Sequence, residues 1–219
     1  MERRVHRRGG RRVGDALGID LSAAMLERAR RDAAAENITN IAFEQGDAQV
    51  HPFAGPGFDT IISRGGVMFF ADLVAAFTHL HDALAPDGHL AFLGPQPGGP
   101  HSAYARATAA LAPYLREPSP AAHGMGSLLD PARITEVLTA ADFNAVEITP
   151  VLADMGLGMD ARDAADFIFA MGPTHHNLRD VDAATVAALR AQVQDALGEF
   201  ETPQGVLIPG AVWIVTAAR

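Results

Sequence analysis

The sequence predicts an α/β protein built on a mostly parallel sheet. Three observations carry that prediction. Short apolar runs alternate with helical patterns at close spacing, the order expected of right-handed βαβ units. The first run, Ala16-Leu17-Gly18-Ile19-Asp20, ends in a carboxylate and is followed at once by a helix start at Ser22. The next run ends near a second carboxylate, Asp47. Two acidic strand tips therefore stand where open α/β sheets bind their ligands, beyond the carboxyl ends of adjacent strands.

The chain has 219 residues, 48% hydrophobic and 20% charged, a balance that suits one large folded domain. No apolar run reaches the roughly 18 residues of a membrane span, and no leader pattern opens the chain. The absence of cysteine excludes disulfides, thiolate metal sites and cysteine nucleophiles. Together these point to a soluble, cytoplasmic protein. All 17 basic residues are arginine, which excludes a catalytic lysine. Six of them lie at Arg3, Arg4, Arg7, Arg8, Arg11 and Arg12; the rest of the chain carries 11 arginines against 25 acids, a net of −14. Such a body repels nucleic acid phosphates, so a small-molecule partner is expected rather than DNA or RNA. Residues 1–14 have almost no apolar content and are expected to be a disordered basic arm; a nucleic-acid or membrane contact is the other reading of that segment.

In chain order, residues 16–20 form the first strand and Ser22 caps a helix running to about Glu36, with Asn37 as its stop. Met25, Ala29 and Ala33 repeat at helical spacing. Ile41–Glu44 and Phe58–Ser63 are strands, and Asp72 caps a helix with Leu73, Phe77, Leu80 and Leu84 on one face. Pro86-Asp87-Gly88 is expected to be a turn leading into a strand at His89–Leu93. A helix is expected over 102–115 and a mobile loop through Pro118, Pro120 and Gly126. Asp130-Pro131 starts a helix whose core stripe is Ile134, Val137, Leu138 and Ala141. Residues 145–148 are a strand, 160–171 and 182–200 are helical, and 206–208 with 211–215 close the chain as one strand broken at Pro209-Gly210.

At this point the sequence resembles a known family. Gly18-Ile19-Asp20-Leu21-Ser22 with Met25-Leu26 is similar to the region after the first motif of class I S-adenosylmethionine (SAM)-dependent methyltransferases. Gln45-Gly46-Asp47-Ala48 resembles their adenine-binding motif. Phe58-Asp59 with Ser63-Arg64 resembles the strand that follows, and Leu84-Ala85-Pro86-Asp87-Gly88-His89-Leu90 their proline–glycine turn. The stretch from Ser63 to Phe92 is similar to small-molecule methyltransferases of the ubiquinone/menaquinone-biosynthesis type. The resemblance implies a Rossmann-like sheet, mostly parallel, with an antiparallel C-terminal strand pair at 144–151 and 205–218. It implies SAM as cofactor and methyl transfer to a small organic acceptor. By the same resemblance Asp20 holds the ribose, Asp47 and Ala48 border the adenine, Ser63 and Arg64 lie beneath the methionine part, and Leu21, Met25 and Gln49 are further cofactor-binding candidates. Residues 15–219 would form one methyltransferase-like domain, with inserts at about 95–130 and 152–204 forming a substrate cap.

The chain departs from the family at one place. The first strand and glycine-rich loop should lie just before residue 16, where Arg7-Arg8-Gly9-Gly10-Arg11-Arg12 stands instead. Gly9-Gly10 lacks the preceding apolar strand that gives such a loop its mechanism. The sheet is thus expected to be incomplete at its N-terminus, with two strand edges exposed or forced to pair directly. That departure counts against activity and leaves a second reading: a truncated, mis-started or degenerate chain that serves as a non-catalytic binding or assembly partner and forms a homo-oligomer. A nicotinamide-dependent dehydrogenase is a weaker third reading, since Asp47 and the closing strand pair do not suit it.

The remaining candidates have ordinary structural readings beside them. Met68 and Phe69 pack in a core or wall an apolar substrate pocket. His175 and His176 contact substrate or sit in an exposed loop. His79 and His81 are expected on the polar surface of their helix. No catalytic base stands out, and no residue spacing marks a metal site. Methyl transfer from a sulfonium relies mainly on positioning, so neither gap counts against the class.

Overall fold

The computed structural model describes residues 14–53, 57–99, 101–115, 123–124 and 126–219. Most of the expected arm (residues 1–13, with Gly9-Gly10) and much of the expected mobile loop (116–122 and 125) lie outside the described residues. Two compact units emerge, one from Met1–Gly94, Pro131–Thr149 and Ile214–Arg219, the other from Pro95–Asp130 and Pro150–Trp213.

In the first unit, β1 (Ala16–Asp20) and β2 (Ile41–Gln45) pair in parallel, with Asp20 opposite Gln45. The parallel pairing requires a crossover, and α1 (Ala23–Ala35) supplies it. Ser22 starts this helix by accepting the Met25 backbone N–H on its hydroxyl, at 3.3 Å. Asn37 ends it in the left-handed region, at φ 55°. There the Asn37 N–H donates to the Ala34 carbonyl and the Ile38 N–H to Ala33, the paired bonds of a Schellman cap.

Next come β3 (Phe58–Arg64), α2 (Leu73–Ala83) and β4 (Leu84–Pro95). Asp72 caps α2 through the Ala75 N–H, at 3.0 Å. Phe77 is fully buried, and its ring lies 5.9, 5.8 and 6.5 Å from those of Phe70, Phe92 and Phe143. Burying a side chain of this size stabilises by about 1.5–3 kcal/mol. Against α2, α4 (Pro131–Ala140) buries Ile134, Val137 and Leu138, as its stripe predicts.

Two sequence expectations change here. Pro86-Asp87-Gly88 is not a turn between elements but a bulge inside β4. Phe58 pairs with Leu84 and Thr60 with His89, so the residues between Leu84 and His89 loop out of register while the strand continues. Gly88 is required at this crowded point, because a Cβ there would lie 2.8 Å from the Ala85 carbonyl oxygen. His79 and His81 are half-buried rather than surface residues. His79 Nε2 donates to the His51 carbonyl at 2.8 Å, and its ring lies 5.2 Å from Phe53; His81 meets Phe143 edge-on at 5.2 Å. Aromatic neighbours distant in sequence cover a face that helical periodicity alone assigns to water.

The larger sheet has the order β3-β4-β7-β5, where β5 is Asn144–Gly158 and β7 is Gly205–Ala218; β6 (Glu201–Thr202) pairs antiparallel with β7. β1 and β2 form a separate two-stranded sheet. Among the described residues β1 and β3 do not pair directly. A small hollow lined by Leu17, Ile19, Thr60 and Ile62 lies between them instead.

The second unit contains α3 (Ala103–Ala107), α5 (Ala161–Ala170), α6 (Gly172–Leu178) and α7 (Ala183–Leu197). The helix expected over 102–115 is shorter: α3 gives way to a 3-10 turn at Ala109–Leu111, after Thr108 turns its hydroxyl back onto the Tyr104 carbonyl at 2.8 Å. Leu111, Ile168, Val193, Leu197 and Ile208 are fully enclosed in this unit's core. The final strand is unbroken at Pro209-Gly210. Pro209 is exposed, an ordinary place for a residue with no N–H to give. Gly210 is set by close packing, since a Cβ there would lie 2.9 Å from Met155 Cγ. No helix among the described residues is long and apolar enough to cross a membrane.

Candidate functional site

The tips of β1 and β2 are tied together by their own backbone. The Gly46 N–H donates to the Asp20 carbonyl at 3.1 Å, and Gln45 Nε2 donates to the Leu21 carbonyl at 3.0 Å. This brings Asp20 and Asp47 to one end of the small sheet. Asp20 Oδ1 accepts the Ser22 N–H at 2.7 Å, so the carboxylate steadies the helix start as well as facing the cavity. Its other oxygen, Oδ2, takes no hydrogen bond from the described residues. Asp47 is held more firmly. Its Oδ1 accepts the Gln49 N–H at 2.9 Å, and Gln49 Nε2 reaches Oδ1 and Oδ2 at 3.1 and 3.0 Å. The same Gln49 accepts the Ala71 N–H on its Oε1 at 2.7 Å, which ties the β2 tip to the segment after the short 3-10 turn Val67–Phe69.

These groups line a cavity of about 390 Å³, within the range of small-ligand sites. Asp20, Leu21, Asp47, Ala48 and Gln49 line it together with Arg64, Gly65, Gly66 and Phe69. Arg64 is exposed and pairs with no acid among the described residues. It also lines a smaller adjoining hollow of about 120 Å³ with Gly18, Asp20 and Met25. Gly65 adopts φ 73°, which lets the chain turn sharply after the β3 tip. Ser63 is buried and accepts the Gly66 N–H on its hydroxyl at 3.3 Å, so it shapes the Gly65-Gly66 turn. Leu21, Met25 and Phe69 leave 68, 55 and 50% of their surface exposed, an apolar rim beside three charges.

Of the candidates singled out in sequence, Asp20, Leu21, Asp47, Ala48, Gln49, Arg64 and Phe69 share this cavity, and Met25 borders the adjoining hollow. Met68 is buried. His175 and His176 lie on α6 of the second unit, where a His176 ring nitrogen meets the Arg179 guanidinium at 3.0 Å. Two features of the cavity are invisible in sequence: the bridge from Asp47 through Gln49 to Ala71, and the Gly65-Gly66 wall. Both depend on loops that meet only in the folded chain. No cluster of potential metal ligands occurs among the described residues.

Paired acidic strand tips and an arginine around one cavity suit a nucleoside-type ligand. Comparison with known proteins narrows this. Residues 3–88 match the family described as "Methyltransferase domain". An 82-residue stretch is 33% identical to aklanonic acid methyltransferase DauC from a Streptomyces species, covering 37% of each chain. A longer stretch of 138 residues is 33% identical to trans-aconitate 2-methyltransferase from Deinococcus radiodurans, covering 61% of this chain and 50% of that one. The crystal structure of YcgJ from Bacillus subtilis superimposes with a TM-score of 0.58 at 17% identity, covering 94% of this chain and 82% of that one. Residues 3–88 are thus similar to a methyltransferase domain, and the likeness to YcgJ shows a shared fold. The matched segments span half or less of the length of these two curated relatives.

Proposed function

We propose that this chain binds SAM in the cavity around Asp20, Asp47 and Arg64 and transfers its methyl group to a small organic acceptor. The observation that carries this reading is the distribution of charge. Two carboxylates at the strand tips and one guanidinium with no acid partner among the described residues line a single cavity of about 390 Å³. SAM has matching parts: ribose hydroxyls and an adenine amino group to donate hydrogen bonds, and an amino-acid carboxylate to receive one. Asp20 Oδ2 is available to a ribose hydroxyl. Asp47, fixed by Gln49, would hold the adenine amino group, with Ala48 beside it. Arg64 would meet the methionine carboxylate. Ser63 acts indirectly, by holding the Gly65-Gly66 turn. Leu21, Met25 and Phe69 would cover the apolar faces of the cofactor.

When bound, SAM supplies a methyl group on a sulfonium, a good leaving group. What remains for the protein is to hold the reactants in line and exclude water. The second unit, with its own cavity, is the part of the chain suited to the acceptor. Isothermal titration calorimetry with SAM and its demethylated product tests the cofactor reading. A folded sample that gives no heat at millimolar SAM overturns it.

A further inference from the structure

The second unit encloses a cavity of about 360 Å³ lined by Gln96, Tyr104, Leu129, Met171, Pro173 and Thr174, among others. Among the described residues, nothing in its wall carries a formal charge. Three prolines, Pro95, Pro97 and Pro173, stiffen that wall. The loop carrying Gln96 is pinned to the last strand: the Gln96 N–H donates to the Ala211 carbonyl at 3.1 Å and its Nε2 to Val212 at 2.8 Å. The cavity is thus preformed and almost entirely apolar.

One polar group in it is poorly used. The Tyr104 hydroxyl, on α3, has as its partner the thioether sulfur of Met171, at 3.7 Å. A thioether is a weak acceptor, and the methionine side chain is flexible enough to yield its place. Burial pushes the phenol above its ordinary pKa, so at neutral pH it remains a hydrogen-bond donor. A donor with a replaceable partner, on an uncharged apolar wall, selects a definite kind of ligand.

We propose that this cavity is the acceptor pocket and takes an uncharged, largely apolar molecule that presents one carbonyl or hydroxyl oxygen to the Tyr104 hydroxyl. Anionic acceptors are disfavoured, because a carboxylate entering this wall would lose its hydration with no cation among the described lining residues to replace it. The ligand class follows from the cavity alone. The word acceptor rests on the methyltransferase reading above.

The molecule carries its own reporter. Trp213 is the only tryptophan, and its Nε1 donates at 2.9 Å to the carbonyl of Leu129, which lines the cavity. The test is a fluorescence titration of the full chain with 2-decalone, a neutral bicyclic ketone, and with decalin-2-carboxylate, its charged counterpart of similar size. The expected result is a saturable change with the ketone and binding at least about tenfold weaker with the carboxylate. Tyr104→Phe should weaken the ketone about five- to tenfold, the value of one buried hydrogen bond. Met171→Leu, which removes the competing acceptor and keeps the volume, should leave ketone affinity unchanged or raise it by about two- to threefold. Circular dichroism confirms that each variant folds; if Tyr104→Phe does not, Met171→Leu and the ketone–carboxylate contrast decide. The proposal is overturned if the ketone gives no saturable change or the carboxylate binds as tightly. It is equally overturned if a folded Tyr104→Phe binds like the parent, or if Met171→Leu loses affinity tenfold. Calorimetry with SAM separates the two readings: ketone binding without SAM binding sinks the cofactor assignment alone, and the reverse sinks the pocket alone.

Discussion

The cavity of the first unit and that of the second are nearly equal in volume, about 390 and 360 Å³, and opposite in lining. The first is built from strand tips and carries Asp20, Asp47 and Arg64. The second is built from helix ends and proline-bearing loops, with the Tyr104 hydroxyl on a weak thioether partner. The difference teaches how recognition is divided. Charged groups at fixed strand ends can read a polar ligand feature by feature, because each carboxylate is oriented by the backbone N–H two residues further on. An uncharged wall reads shape and exclusion, and tolerates change in the ligand so long as no charge enters. A chain with both can hold one invariant polar partner and choose among apolar ones.

The comparison can be broken by substitution, beginning with the largest effect. Phe77→Ala should cost about 3–5 kcal/mol of stability, seen as a large drop in melting temperature, because Phe77 is the aromatic centre of the first unit. A loss below about 1 kcal/mol would show that this unit does not pack around it. Asp20→Ala should weaken SAM by about 1.5–3 kcal/mol, the range for hydrogen bonds to a charged group, and shift the 2-decalone titration less than about twofold. An equal loss in both titrations would erase the division of labour. Arg64→Gln should weaken SAM by about 1 kcal/mol and flatten its dependence on salt, since an exposed guanidinium acts through a screened field. Calorimetry at low and high ionic strength measures this.

The smallest effect concerns pH. Asp182 caps α7, and the Thr185 N–H and hydroxyl donate to it and hold its carboxyl below the usual range. A depressed native pKa stabilises the ionised cap, fully above the ordinary carboxylate range. That contribution is lost as pH falls through the lowered native value. Asp182→Asn should therefore remove part of the acid sensitivity of melting while changing little near neutral pH.

Much of the first unit was legible in the sequence because its signals are local. Ser22 and Asp72 cap where a short polar side chain precedes an apolar stripe, and Asn37 stops α1 because it tolerates a positive φ. The Asp20 and Asp47 positions follow from where the strands end. The Gln49 bridge was not legible, since its second partner is the backbone of Ala71, 22 residues away. Nor was Tyr104, whose partner Met171 is 67 residues distant. Pro86-Asp87-Gly88 and Pro209-Gly210 misled for a related reason. Their local chemistry signals a turn or a break, yet residues 85–88 only loop out of register within β4, and β7 continues across Pro209-Gly210.

By itself, then, the sequence determined the alternation of strands and helices, their caps, and the two acidic tips, because each depends on periodicity or on neighbours within a few residues. The tertiary structure alone decided that β1 and β3 do not pair, that Arg64 shares a cavity with the acids, and that the described residues lining the pocket at Tyr104 carry no charge. Those features are contacts between segments far apart in the chain. Their free energies exist only once burial and sheet pairing have brought the segments together.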